Sequence, residues 1–135
     1  MVYAPAEDSY LLSKSIESLL KSLSSKDKKN LKVLDMGSGS GIQAKTCIKN
    51  QVPKKNILCV DLSEQAIDYL KKQKLQTIHS NLFEKIKKDE KFDLILFNPP
   101  YLPEHKYDKQ IDTTGGKKGH ETIILFLKQA KQHIK

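Results

Sequence analysis

Arginine is missing from this chain of 135 residues: lysine supplies the whole basic complement of 24, against 16 carboxylates, for a formal net charge of +8. Bidentate grips on phosphate favour the guanidinium fork, so its absence argues against a phosphate clamp. The lysines are spread along predicted helices and loops and read as a solvated surface. A basic balance permits nucleic-acid or acidic-protein partners without proving either. Cysteine is scarce too. Cys47 and Cys59 form no CxxC pair and fall in a predicted helix and a predicted strand, which reads as two buried free thiols. The four histidines, His79, His105, His120 and His133, show no metal-ligand spacing, so no metal is expected. No apolar run approaches the ~18 residues of a membrane span, and no signal peptide opens the chain. A reducing, cytoplasmic compartment and no membrane partner are expected. Repeats and a second hydrophobic pattern are absent, so residues 1–135 read as one domain.

What is present centres on Leu94-Ile95-Leu96-Phe97-Asn98-Pro99-Pro100-Tyr101. The apolar residues from Phe92 to Phe97 read as a strand buried on both faces. Proline has no N–H for a ladder, so Pro99 and Pro100 end it. The residue before a proline is held extended, so Asn98 leaves the strand's carboxyl end. That end is where open α/β sheets bind ligands. Asn98 can accept from a substrate –NH2 through its side-chain oxygen, and Pro99 adds a carbonyl.

Upstream, Leu12, Ile16, Leu19, Leu20 and Leu23 follow helical spacing, with Glu7 and Asp8 suited to the positive first turn. Ser24 to Asn30 is polar and reads as the close of that helix. A first strand, Lys32 to Met36, runs straight into Gly37-Ser38-Gly39-Ser40-Gly41, and Ile42 to Asn50 reads as a helix. Strand, glycine loop, helix is a nucleotide-cradling order. The loop is GxGxG, however, and Ile42 stands at the third glycine of the dinucleotide fingerprint, which therefore fails. Asp35 would oppose a pyrophosphate but suits a cationic ligand. S-adenosylmethionine carries a sulfonium and an ammonium and no phosphate. A second strand, Ile57 to Asp61, ends in an acid about one βαβ step on, where ribose hydroxyls are commonly taken. Ser63 then caps a helix with Ala66, Ile67 and Leu70 inward. Leu75 to Ser80 is a third strand, followed by Asn81-Leu82. Phe83 to Asp89 reads as a short lysine-rich helix with a solvated face. Leu102 to Gly119 lacks periodicity and is placed to shape the substrate site. Glu121 to Lys135 reads as a helix with Ile123, Leu127, Ala130 and Ile134 on one stripe.

Three stretches carry a family resemblance: Pro5-Ala6-Glu7-Asp8-Ser9 with Leu11-Leu12, Asp35-Met36-Gly37-Ser38-Gly39-Ser40-Gly41, and Asn98-Pro99-Pro100-Tyr101. Gly115-Gly116 with Gly119 and Glu121 is a shorter fourth. In these the chain resembles the class I S-adenosylmethionine-dependent methyltransferases, and more narrowly the HemK-like glutamine methyltransferases of translation release factors. The amino-terminal stretch is similar to the archaeal and eukaryotic branch. The resemblance implies a Rossmann-like α/β fold, a mainly parallel sheet of order 3-2-1-4 with helices on both faces. It implies S-adenosylmethionine as cofactor, with Ser9 at its methionine end, Asp35, Gly37, Gly39 and Gly41 lining it, Asp61 on the ribose and Asn81 and Leu82 beside the adenine. Most relatives have an aspartate where Asn81 stands, and an amide oxygen can still meet the adenine amino group. Asn98, Pro99, Pro100 and Tyr101 would be the catalytic set. A release factor would be the substrate. A small zinc-binding activator subunit would pair at the third-strand edge, Gln76 to Ser80. Relatives continue with three further strands where this chain stops, which predicts an incomplete catalytic domain with the fourth strand as a bare sheet edge.

Asn-Pro-Pro-Tyr is shared with enzymes that methylate amino groups of adenine and guanine, so N6-adenine or N2-guanine methylation of DNA or RNA is the rival reading. An inactive cofactor-binding remnant is the third. For a glutamine acceptor, Asn98 and the Pro99 carbonyl would accept both amide N–H bonds and stabilise charge building on nitrogen. Tyr101 would pack over the planar amide, and alignment would carry most of the rate. His105 is the only base in the neighbourhood by sequence and is set aside.

Overall fold

Four short segments pair in parallel and bring Asp35 and Asp61 to one end of a sheet. In a computed structural model of the protein, residues 7–97 and 121–135 are described. The elements are α1 Glu7–Lys21, α2 Ser25–Asn30, β1 Val33–Met36, α3 Ile42–Lys49, β2 Ile57–Asp61, α4 Glu64–Lys72, β3 Gln76–His79 and β4 Leu94–Phe97, with residues 121–130 forming a further helix, α5. The sheet order is β3-β2-β1-β4, all parallel. This is the expected 3-2-1-4 order. Asp35 stands opposite Cys59, Met36 opposite Phe97, and Asp61 opposite His79.

Successive strand residues point to opposite faces, and two cores result. On one face Val33, Ile57, Cys59 and Leu96 meet Ile16 and Leu20 of α1, Ala44 and Cys47 of α3, and Ile67 and Leu70 of α4. On the other, Leu34, Met36 and Val60 meet Phe83, Ile86, Phe92 and Phe126. Both cysteines are buried free thiols as expected. Burial, with the charge of Asp35 as a smaller cause, pushes each up to about 12, so neither is a thiolate near neutrality.

The structure corrects several expectations. Ser24 to Asn30 does not simply close α1: Ser24 caps a separate helix by accepting the Asp27 N–H at 3.0 Å. Leu19, grouped with the inward leucines, is exposed. Phe83 to Asp89 forms turns rather than a helix, and Phe83 and Ile86 are buried core residues. Of the stripe assigned to α5, Ala130 packs against the second core and the rest does not. The buried residue of α5 is Phe126, stacked on Phe97 at 3.9 Å between ring centroids, while Ile123 and Leu127 are exposed. Ile134 lies beyond the helix and forms a parallel bridge with Phe92. There the Phe92 N–H donates to the His133 carbonyl at 2.7 Å and the Lys135 N–H to the Phe92 carbonyl at 2.9 Å. The last residues thus cover the entry to β4, so that edge is not wholly bare. His133 is structural: buried, stacked on Phe83, with Nδ1 2.7 Å from the Glu90 carbonyl.

Candidate active site

Three neighbouring strands end side by side, and backbone hydrogen bonds tie their exit loops together. The N–H groups of Gly37 and Ser38 donate to the Val60 carbonyl at 2.8 and 3.1 Å. The Ser80 N–H donates to the Asp61 carbonyl at 3.1 Å. Asp35 with the glycine loop, Asp61, and Ser80-Asn81-Leu82 therefore share one end of the sheet, at the carboxyl termini of β1, β2 and β3. Carboxyl strand ends of open α/β sheets are the usual ligand sites.

The glycine loop needs its glycines for different reasons. Gly37, Gly39 and Gly41 all have positive φ, at 70°, 54° and 82°. Among the described residues a Cβ on Gly39 would meet nothing within 4 Å, so they leave open space beside its backbone. A Cβ on Gly41 would lie 2.8 Å from Leu70 Cδ2 and 3.4 Å from Leu75 Cδ1. Gly41 is thus a packing position where the loop turns into α3.

Asp35 is the electrostatic anomaly. It is 0% exposed, and neither carboxylate oxygen has a hydrogen-bond partner among the described residues. A buried charge without partners is costly. Burial accordingly pushes its pKa from an ordinary 3.8 to about 7, helped slightly by the charge of Asp61. The Ser38 hydroxyl and the Ala44 N–H, near but short of hydrogen-bond geometry, pull the other way. Instead, the Ser38 hydroxyl donates to the Asp35 carbonyl at 2.8 Å, holding the strand-to-loop turn.

Both carboxylate oxygens of Asp61 are engaged by backbone. Its Oδ2 accepts the Gly39 N–H and its Oδ1 accepts the Ser63 N–H, both at 2.9 Å. The acid thus both fixes the glycine loop and starts the turn into α4. A carboxylate has about four lone-pair directions, so hydroxyl donors can still reach it. Leu82 has a positive φ of 53°, unusual for a leucine, and its carbonyl accepts the Ser80 hydroxyl at 3.0 Å. Asn81 is exposed.

Ser9 is buried in the first turn of α1, and its carbonyl accepts Gln43 Nε2 at 3.1 Å. Gln43, missed by the sequence reading, thus joins α1 to the turn that follows the glycine loop. Its only sequence signal is an amide among the inward positions of α3. Asn98, Pro99, Pro100 and Tyr101 lie outside the described residues, as does the 102–119 loop with His105. β4 ends at Phe97, opposite Met36, so the chain leaves the sheet beside the glycine loop. Among the described residues no group of three or more His, Cys, Asp or Glu could hold a metal, and no helix is long and apolar enough to cross a membrane.

The site invites comparison with known proteins. The family model of the methyltransferase small domain matches residues 12–133. A Methanocaldococcus jannaschii protein named as a protein N5-glutamine methyltransferase is 37% identical over 146 residues, covering 99% of this chain and 67% of its own. A Rhodopirellula baltica release factor glutamine methyltransferase is 30% identical over 146 residues, covering 95% of this chain and 48% of its own. The chain therefore spans about two thirds of one curated relative and about half of the other. A crystal structure of a Thermoplasma acidophilum protein superposes with a TM-score of 0.54 at 17% identity, over 90% of this chain and 65% of that one, which is a likeness of fold. With its four-stranded parallel sheet and a family match from 12 to 133, this chain belongs to the methyltransferase small domain family, in the Rossmann-like class I fold.

Proposed function

We propose that this chain is an S-adenosylmethionine-dependent methyltransferase that N5-methylates a glutamine side chain of a translation release factor. The observation that carries the cofactor assignment is Asp35, a buried carboxylate at the end of β1 with no hydrogen-bond partner among the described residues, beneath a glycine loop whose Gly39 borders space that no described residue fills. An orphaned buried acid fits a cationic ligand and would repel a phosphate. The names of the Methanocaldococcus and Rhodopirellula relatives support glutamine as acceptor and a release factor as substrate.

The bound cofactor supplies an electrophilic methyl group on a sulfonium. The remaining work falls to the chain. Asp35, Gly37, Gly39 and Gly41 would line the cofactor, Asp61 would accept ribose hydroxyls, Asn81 and Leu82 would flank the adenine, and Ser9 would meet the methionine end. Asn98 and the Pro99 carbonyl would accept the two N–H bonds of the glutamine amide and hold its nitrogen in line. Its lone pair is delocalised, so orientation and stabilisation of developing positive charge are the useful contributions. Pro100 would stiffen the turn and Tyr101 would pack on the planar amide. A cytoplasmic site of action follows from the substrate. β3 is a sheet edge, and a small zinc-binding activator subunit would pair there along Gln76 to Ser80.

The experiment offers a release factor, DNA and RNA separately with methyl-labelled cofactor. Label on the release factor is expected. Label on nucleic acid alone would favour the N6-adenine or N2-guanine reading, and label nowhere with cofactor bound would favour a remnant.

A further inference from the structure

The glycine-loop and strand-end motifs leave one polar residue of the site without a role. Gln43 lies in the first turn of α3, two residues after Gly41, and is 1% exposed. Both ends of its amide engage α1. Nε2 donates to the Ser9 carbonyl at 3.1 Å, and Oε1 accepts the Ser13 hydroxyl at 3.0 Å. The apolar contacts between α1 and the sheet face come from Ile16 and Leu20, with Leu12 partly buried beside them. Apolar burial is non-directional and leaves the sliding and rotation of a helix weakly specified. A satisfied buried amide is directional, and a mismatched register would strand its donor and acceptor out of water.

Gln43 therefore fixes where the first turn of α1 sits relative to the loop leaving β1. We infer that Gln43 is a positioning residue for cofactor binding: by holding the Ser9 carbonyl, it sets the wall of the site that Ser9 presents to the cofactor's methionine end. This rests on the reading that Ser9 lies at that end.

Gln43→Met keeps the side chain long and buried while removing both hydrogen bonds. Calorimetric titration with S-adenosylmethionine should show about 5–10-fold weaker binding, the equivalent of one buried hydrogen bond. KM for the cofactor should rise by the same factor, with kcat within about twofold because the reacting atoms are untouched. Ser13→Ala removes the other half of the clamp and should lower Tm while leaving cofactor affinity within about twofold. Where Gln43→Met does not fold, Gln43→Glu keeps an acceptor for Ser13, loses the donor to Ser9, and should weaken binding alike. Ser9→Ala tests the underlying reading, and the Ser9→Ala, Gln43→Met pair should bind no more weakly than the weaker single variant. A folded Gln43→Met protein with unchanged affinity would overturn the positioning role. Equal weakening by Ser13→Ala would reduce the clamp to simple helix docking. A silent Ser9→Ala would instead remove the reading on which the inference rests.

Discussion

Replacing Asp35 by asparagine isolates the buried charge on which the cofactor assignment depends. Burial raises the Asp35 carboxyl from 3.8 to about 7. The folded protein then holds a proton on Asp35 across a pH range where the unfolded chain has lost it. Stability associated with Asp35 is therefore fully present below about pH 4 and is lost as pH rises through about 7. A displacement of about three pH units, at 1.36 kcal/mol each, is about 4 kcal/mol in all. Asparagine keeps the shape and does not titrate. In urea unfolding, the stability of Asp35→Asn relative to wild type should rise by about 2–3 kcal/mol from pH 5 to pH 8, then level off. Comparing the two proteins cancels the titration of groups they share. Cofactor binding should run the opposite way. A cationic ligand favours ionised Asp35, so wild-type affinity should climb up to about tenfold per pH unit below pH 7 and flatten above. Asp35→Asn should bind weakly, with that rise absent. A stability difference that is flat from pH 5 to pH 8 would refute the buried-charge argument.

Further outcomes follow from single positions. Gly41→Ala should cost about 1–3 kcal/mol in urea unfolding, because its Cβ would lie 2.8 Å from Leu70 Cδ2 and φ is 82°. Gly39→Ala meets no atom within 4 Å among the described residues, so it should cost only about 1 kcal/mol of strain yet weaken cofactor binding in calorimetry. The reverse order of the two in stability would contradict the assignment of Gly41 to packing. Phe92→Ala should lower unfolding free energy by about 3–5 kcal/mol, since its ring is 0% exposed beneath the Lys32 ammonium. Asn98→Ala should abolish methyl transfer while cofactor affinity stays within a few fold. An equal loss of cofactor binding would show that Asn98 does not act on the acceptor alone.

The sheet was legible because three of its strands are short, apolar and punctuated. β2 begins and ends where Ile57 and Asp61 suggest, and strand order followed the family resemblance. Elements that bury little were harder to read. α2 has no buried residue, so it leaves no hydrophobic period, and its start rests on one Ser24 hydroxyl. Phe83 and Ile86 occur at helical spacing, but they anchor turns to the second core rather than a helix. In α5, apolar residues stand on nearly every side, so spacing alone cannot identify the inward one, and ring stacking of Phe126 on Phe97 decides it.

The site divides in the same manner. Asp35 and the glycine loop announce themselves by residue type. Their distinction does not: Gly39 faces space and Gly41 faces Leu70, a difference set by α4, which comes later in the chain. Asp61 invites a ribose reading from its place after β2. In the structure both its oxygens already hold backbone N–H groups, so the same acid also organises the loop. Gln43 matters through Ser9, 34 residues earlier, a pairing that only the packed fold brings together.

The most direct measurement is peptide mass spectrometry of a purified release factor after incubation with this protein and S-adenosylmethionine. One added methyl group is expected, located on a glutamine side-chain amide and missing when the Asn98→Ala protein is used. A methyl group on any other side chain, or transfer that survives Asn98→Ala, would contradict the proposed function.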